Sequence, residues 1–337
     1  KLMLPSIKEG YIFRVYKEDL YKRFNKFEVD SIIKYLGVRP GDPALKPTEV
    51  SDFKVLISKP LVDFGDYIYL PLLESTLMNL HKLFHYTFIA EGKFDKYIVG
   101  KYTENRGNVI ESLTVKYFQR LIDRKYIYSS LKYKNEDGEA DVTIQYDNIT
   151  IFCECKSKIL TLNTLKGITE NIKTDIYQAI GNAYEQAVRT VKYIVQGKYF
   201  IKTINGEKTE IKLENTEKKY NICVTGEHFG FIPSRIKEYI DFDKTYPIVP
   251  YVVNIFDLDI ITQECIDIEE FIRYLEFRKE NNDLISSIDE LDIFGYFKAN
   301  GGQKLNIDAD ELVITDYTSQ FDKKYQNNNR EFFSRFD

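Results

Sequence analysis

The sequence predicts an α/β protein: a mixed β-sheet flanked by helices, set between an N-terminal α+β unit and a C-terminal, mainly helical unit. Two observations predict it. Segments with the 3.6-residue apolar spacing of helices are interleaved with alternating runs rich in Val, Ile, Thr, Tyr and Phe, the pattern of strands. The chain is also long enough: 337 residues, 43% hydrophobic and 29% charged, suit two or three packed units at roughly 100–200 residues each. The expected boundaries are 1–98, 99–260 and 261–337.

In the first unit, Lys17 to Leu36 reads as one helix with an apolar stripe of Leu20, Phe24, Phe27, Ile32 and Ile33. Arg39-Pro40-Gly41-Asp42-Pro43 ends it. Phe53–Ile57 and Tyr67–Leu70 read as strands, and Pro71–Glu91 as a helix with Leu73, Leu77, Leu80, Phe84 and Phe88 inward. Gly92 opens the second unit. There Asn105–Arg124 is amphipathic, with Val109, Leu113, Tyr117, Leu121 and Ile122 on one side. Strands follow at Tyr126–Tyr133, Glu139–Tyr146 and Ile149–Cys155, then a polar loop at Leu160–Ile168 and a long helix from Glu170 to Gln196. Asn205-Gly206 marks a hairpin turn between Tyr199–Thr203 and Thr209–Leu213. Tyr220–Thr225 and Val249–Ile255 are further strands, with a short helix at Ser234–Tyr239 between them. Ile268–Glu280 and Ser287–Phe297 are helices of the third unit, and the tail from Gly301 reads as polar and poorly ordered.

Composition limits function. A net charge of -5 argues mildly against nucleic acid as a partner, yet a local cationic lining with a bound metal suffices for a nuclease cleft. The four cysteines, Cys153, Cys155, Cys223 and Cys265, include no C-x-x-C pair, so they read as small buried hydrophobes in a reducing cytoplasm. No apolar run reaches the ~18 residues that span a bilayer, and Lys1-Leu2-Met3-Leu4-Pro5 lacks a signal-peptide core. The absence of an initiator Met points to a fragment of a longer protein. P-loop and dinucleotide-binding glycine patterns are absent.

The chemistry concentrates on two adjoining strands. Gly138-Glu139-Ala140-Asp141 opens one, and Phe152-Cys153-Glu154-Cys155-Lys156 closes the next after a turn at Asp147-Asn148. Alternation puts Glu154 and Lys156 on one face and Cys155 on the other. An antiparallel hairpin would set Asp141 roughly across from Glu154 and so join two hard oxygen donors, the type that Mg²⁺ prefers. Lys156 can then orient or deprotonate a water. A charged pair in so apolar a strand is costly unless it pairs or binds metal.

This segment resembles the core of the PD-(D/E)xK nuclease superfamily, the restriction-endonuclease-like fold. Asp141 matches its Asp and Glu154-Cys155-Lys156 its E-x-K, while Ala140 stands where the superfamily's name has Pro. The resemblance covers about residues 99–256. It implies that Glu111, on the preceding helix, ligands a metal or a metal-bound water. It implies likewise that the Cys155 carbonyl completes the shell around Mg²⁺ or Mn²⁺. On the following helix Gln186 or Gln178 would orient Lys156, water or phosphate, although a Q-x-x-x-Y pattern is missing because Asn182 follows Gln178. Asp175, Gln178, Asn182, Gln186 and Arg189 fall near one helical face, and Lys158 is within two residues of the motif.

The implied activity is metal-dependent DNA cleavage, with RNA as the alternative substrate and a non-catalytic nucleic-acid-binding or interaction module as the alternative role. Phe256-Asp257-Leu258, Phe271-Ile272-Arg273-Tyr274-Leu275 and Asp289-Glu290-Leu291-Asp292 resemble large bacterial proteins that carry such domains. That setting implies restriction or anti-phage defence, with an ATPase partner. Double-strand cutting by one active site points to a homodimer. Competing motifs are thinner. His81 and His85 have the i, i+4 spacing of a zinc helix, but Lys82 stands where a metalloprotease needs Glu, and His228 is a lone loop histidine.

Overall fold

The computed structural model describes residues 14–46, 55–71, 76, 80–90, 94–204, 206–303, 305 and 310–333. The chain forms two compact units, Lys1–Tyr102 with Ile159–Ile172, and Thr103–Lys158 with Lys173–Asp337.

The smaller unit holds β1 (Arg14–Tyr16), α1 (Lys17–Arg23), α2 (Lys26–Leu36), β2 (Gly37–Val38), β3 (Leu61–Asp63), β4 (Tyr67–Tyr69) and α3 (Leu80–His85). Its sheet runs β1-β4-β3-β2. The single helix expected over Lys17–Leu36 is two, because Phe24 turns extended and Asn25 caps α2 by accepting the Phe27 amide. That break turns part of the expected stripe outward: Phe24, Phe27 and Ile32 are exposed, while Ile33 is buried as expected, in a core with Val29 and Ile68 against which Leu20 packs. Val55–Ile57 is a 3₁₀ turn rather than a strand, and Phe53 lies outside the described residues. Of the helix expected over Pro71–Glu91, α3 and a π-turn at Tyr86–Ala90 are described. Leu83 and Tyr86 are buried there, whereas Leu80 and Phe84 are exposed; Leu73, Leu77 and the Phe88 side chain fall outside the described set.

The larger unit is built on a seven-stranded mixed sheet. After α4 (Lys96–Phe118) come β5 (Ile127–Tyr133), β6 (Glu139–Tyr146) and β7 (Ile149–Lys156). The chain passes α5 (Leu162–Leu165) in the smaller unit, where the sequence suggested only loop, and returns through α6 (Thr169–Ile176). A π-turn at Tyr177–Gly181 joins α6 to α7 (Asn182–Val195), so the long helix expected over Glu170–Gln196 is interrupted. Next are β8 (Phe200–Ile204), β9 (Glu207–Ile211), β10 (Lys218–Thr225) and β11 (Pro250–Asn254). Strand order is β11-β10-β7-β6-β5-β8-β9. The β5–β6–β7 meander is antiparallel, while β10 and β11 run parallel to β7. The β8–β9 hairpin turns where Asn205-Gly206 predicted: Ile204 pairs with Glu207, and Gly206 has φ +85°, a conformation that glycine adopts freely. Asn205 itself lies outside the described residues.

Residues 261–337, expected as a separate helical unit, lie in the same compact unit as the sheet. Helices α8 (Ile255–Glu264), α9 (Ile268–Asn281) and α10 (Glu290–Asn300) share one hydrophobic core with α4 and with β6, β7, β10 and β11. Phe118, Phe271, Tyr274 and Phe294 are each fully buried in it. A buried side chain of this size contributes roughly 1.5–3 kcal/mol. Arg120 ties α4 to α8 by donating to the Asp259 carboxylate at 2.6 Å and to Thr262 Oγ1 at 3.1 Å. The short β12 (Ile285–Ser286) and β13 (Leu312–Val313) pair in parallel, and α11 (Thr318–Phe333) is helical in the tail expected to be poorly ordered. The opposite face of the sheet packs on α7 through Ala187, Val191 and Ile194 against Leu131, Phe152 and Phe200. Among the described residues, no helix is long and apolar enough to cross a membrane.

Candidate active site

The β6–β7 hairpin pairs Val142 with Cys153 and Tyr146 with Ile149. Extending that register by one residue places Asp141 opposite Glu154. Cys153 and Cys155 point into the core shared with α4, and Phe152 points toward α7, so Glu154 and Lys156 lie on the α7 side. The backbone is distorted at this point. Pairing of β5 with β6 passes from Ser129↔Val142 to Leu131↔Ala140 without Ser130 and Asp141, and Ser130 is left-handed, with φ +51°. A local break of this kind re-aims side chains, and breaks concentrate at functional sites.

Asp141, Glu154, Lys156 and Gln186 are drawn together, with Glu111 at their edge. Asp141 is 6% exposed, and its Oδ2 accepts the Cys155 amide at 2.8 Å and faces Lys156 Nζ at 3.8 Å. Burial raises its pKa, opposed by Lys156 and the Cys155 N–H. Glu154 is fully buried, and neither of its carboxylate oxygens has a hydrogen-bond partner. Burial and then the neighbouring Asp141 charge push its carboxyl well up. Lys156 Nζ donates to Gln186 Oε1 from α7. Glu111, half-buried on α4, accepts from Ser130 Oγ at 3.5 Å. Desolvation first, then Asp141 and Glu139, raise it to about 7.

The donor set fits a hard divalent cation. Two buried carboxyls with raised pKa values stand side by side, one with both oxygens orphaned, and such groups are costly without a countercharge. Asp141 and Glu154 would hold the ion, with the Cys155 carbonyl on the same strand end; the ligand oxygens of Asp141, Glu154 and Glu111 do not all lie within 4.8 Å of one another, so Glu111 would reach the ion through a water. The Cys155 thiol does not take part: it is buried on the far face, 3.5 Å from Thr114 Oγ1.

Other predicted residues are not brought in. Gln178 is exposed on the π-turn and makes no hydrogen bond to the cluster. The extra residue of that turn breaks the single helical face on which Asp175 and Gln186 were aligned. Asp175 is instead buried at 2% exposure and pairs with Lys158 at 3.0 Å. Arg189 lies over the Tyr133 ring and donates to the Asp137 carbonyl. Ser130 and Glu139 were not foreseen. No sequence signal marks the left-handed Ser130, whereas Glu139, two residues before Asp141 on the same strand, was visible as a further carboxylate.

A second grouping joins His228, Asp257 and Asp289, whose ligand atoms lie within 4.8 Å of one another. Its carboxylates already have structural roles. Asp289 caps α10 by accepting the Leu291 amide, and Asp257 accepts Asn254 Nδ2 in the first turn of α8. His81 and His85 both lie on α3, where His85 packs against the Tyr86 and Tyr102 rings.

No protein-family model matches the chain, and neither the curated proteins nor the solved structures gave a match.

Proposed function

We propose that the protein is a metal-dependent nuclease that hydrolyses DNA phosphodiester bonds, with a restriction-endonuclease-like core formed by α4, β5, β6, β7, α7 and β10. One observation carries this reading: the orphaned, fully buried Glu154 beside Asp141, with Lys156 3.8 Å from Asp141. The element order supports it: with α5, α6 and the β8–β9 hairpin as insertions, a helix, three antiparallel strands, a helix and a strand parallel to the third follow in turn, and the Asp and the Glu-x-Lys stand on adjacent strands.

In this reading Asp141, Glu154 and the Cys155 carbonyl would hold Mg²⁺ or Mn²⁺, with Glu111 beside a water of that ion. A bound ion of this kind supplies Lewis-acid stabilisation of the phosphate and lowers the pKa of water. The chain does the rest. Gln186 fixes the Lys156 ammonium, and Lys156 orients the attacking water and offsets charge on the scissile phosphate. Glu111, half-buried beside the cluster, takes the water's proton. We extend the reading to an endonuclease of a cytoplasmic, bacterial restriction or anti-phage system that works as a homodimer beside an ATPase partner. Incubation with supercoiled plasmid, linear DNA and RNA, each with Mg²⁺, Mn²⁺ or EDTA, tests it. Metal-dependent nicking or linearisation of plasmid is the expected result. Cleavage of RNA alone would reassign the substrate, and binding without cleavage would make the domain a non-catalytic module.

A further inference from the structure

The seven-stranded sheet of the larger unit ends on β9, and the outer side of that strand is open. Glu207, Lys208, Thr209 and Glu210 are all exposed. Among the described residues, only β8 makes backbone hydrogen bonds to them. A bare edge of this kind is a template for a further strand.

The hairpin fixes which backbone groups face outward. Ile204 pairs with Glu207 across the tight turn, and such a flanking pair exchanges both of its backbone bonds. By alternation the next pairs of this type are Lys202 with Thr209 and Phe200 with Ile211. The N–H and C=O of Lys208 and Glu210 therefore point away from β8, toward the open side.

Charge then selects the partner and the register. A second copy of β9 laid antiparallel must set these outward residues against one another. A register centred on Lys208 opposes that lysine to its own copy, and one centred on Glu210 does the same with the glutamate. Like charges directly opposite are destabilising. The register centred on Thr209 sets Lys208 opposite Glu210 of the second copy, and Glu210 opposite its Lys208. Both pairs then exchange backbone bonds and carry opposite charges. Glu210 already lies 2.5 Å from Lys134 of its own chain, but its side chain is 48% exposed and can meet a second cation. Lysine on an edge ordinarily wards off other strands. Here the alternation of sign admits one copy in one register.

We propose that the protein self-associates through β9, paired antiparallel with β9 of a second copy about a two-fold axis at Thr209. The homodimer of the proposed function thereby gains an interface, but the pairing rests on the edge strand and needs no nuclease activity. One short strand makes a small interface, so the dimer forms in a concentration-dependent equilibrium.

Sedimentation velocity of the full chain over a concentration series tests the pairing, with circular dichroism to confirm that each variant folds. The dimer fraction should rise with concentration. Lys208→Glu and Glu210→Lys each turn both charge pairs into repulsions and should weaken self-association by roughly tenfold or more. An equimolar mixture of these two variants should dimerise again, because one is acidic and the other basic at both positions. Thr209→Cys should form an intermolecular disulfide under mild oxidation, since the residue on the axis stands about 4.5 Å from its own copy, Cα to Cα. Glu207→Cys, off the axis, should not. The native cysteines are buried and stay out of that readout. A chain that is monomeric throughout overturns the proposal and the homodimer with it. A dimer that both charge variants leave intact, a mixture that stays monomeric, or equal cross-linking of the two cysteine variants overturns this interface. None of these readouts involves cleavage, so the nuclease reading stands or falls separately.

Discussion

Glu154→Met should stabilise the metal-free protein while removing its activity. Glu154 is fully buried with both oxygens unpartnered, and burial holds its carboxyl pKa well above the usual range. An unsatisfied buried group of this type costs about 1–3 kcal/mol, and a swap to an apolar chain of similar volume costs under about 1.5 kcal/mol in repacking. The net expectation at neutral pH is a gain of roughly 1 kcal/mol. The gain should depend on pH in one direction. With the folded pKa raised, the unfolded chain loses its proton first as pH rises. Wild-type stability therefore falls from the unfolded carboxyl pKa upward until the folded pKa is passed. Urea unfolding in EDTA at about pH 5.5 and about pH 8 measures both effects, and the advantage of Glu154→Met should be larger at the higher pH. A loss of more than about 1 kcal/mol, or an advantage that shrinks with pH, would refute the picture of an orphaned carboxyl awaiting a cation.

Further outcomes are expected. Gln186→Ala frees the Lys156 ammonium, so turnover should fall by about ten- to a hundredfold with little change in melting temperature; Gln186→Glu, which keeps an acceptor, should restore part of it. Glu111, raised to about 7 in the metal-free protein, must lose its proton as the cation binds, so the Mg²⁺ concentration for half-maximal cleavage should fall as pH rises toward neutrality, and Glu111→Gln should flatten that dependence. The same shift makes the metal-free fold lose stability as pH rises from the unfolded carboxyl pKa toward 7, so added Mg²⁺ should raise the melting temperature more at about pH 8 than at about pH 5.5. Ser130→Gly relieves a left-handed backbone and should add about 0.5–1 kcal/mol in chemical denaturation, while widening the freedom of the strand next to Glu111 and slowing cleavage.

Local pattern made the hairpin legible. Period-two alternation on either side of Asp147-Asn148 set the register, and the register alone put Asp141 across from Glu154 and Lys156 on the α7 side. Gln186 was named from the resemblance, and the regular helix α7 carries it to Lys156. The π-turn was not, because nothing in Tyr177-Gln178-Ala179-Ile180-Gly181 announces one extra residue, and that residue sent Gln178 and Asp175 to different surroundings. The pairing of Lys158 with Asp175 joins residues distant in sequence, and no spacing rule foresees it. In the smaller unit the expected stripe held at Leu20 and Ile33 but not at Phe24, Phe27 and Ile32, because a break at Phe24–Asn25 changed the helical phase. The placement of α8, α9 and α10 was illegible for a different reason. A helix with aromatic residues such as Phe271, Tyr274 and Phe294 must bury them, but its own sequence does not say against which sheet.

The most direct test compares plasmid cleavage by wild type and Lys156→Ala with Mg²⁺, after circular dichroism and melting curves have shown equal folding. Wild type should cut only with the metal, and Lys156→Ala should lose cutting by at least about a thousandfold. Equal cutting by the two proteins, each freed of contaminating nuclease, would contradict the assignment of the Asp141, Glu154 and Lys156 cluster as the active site.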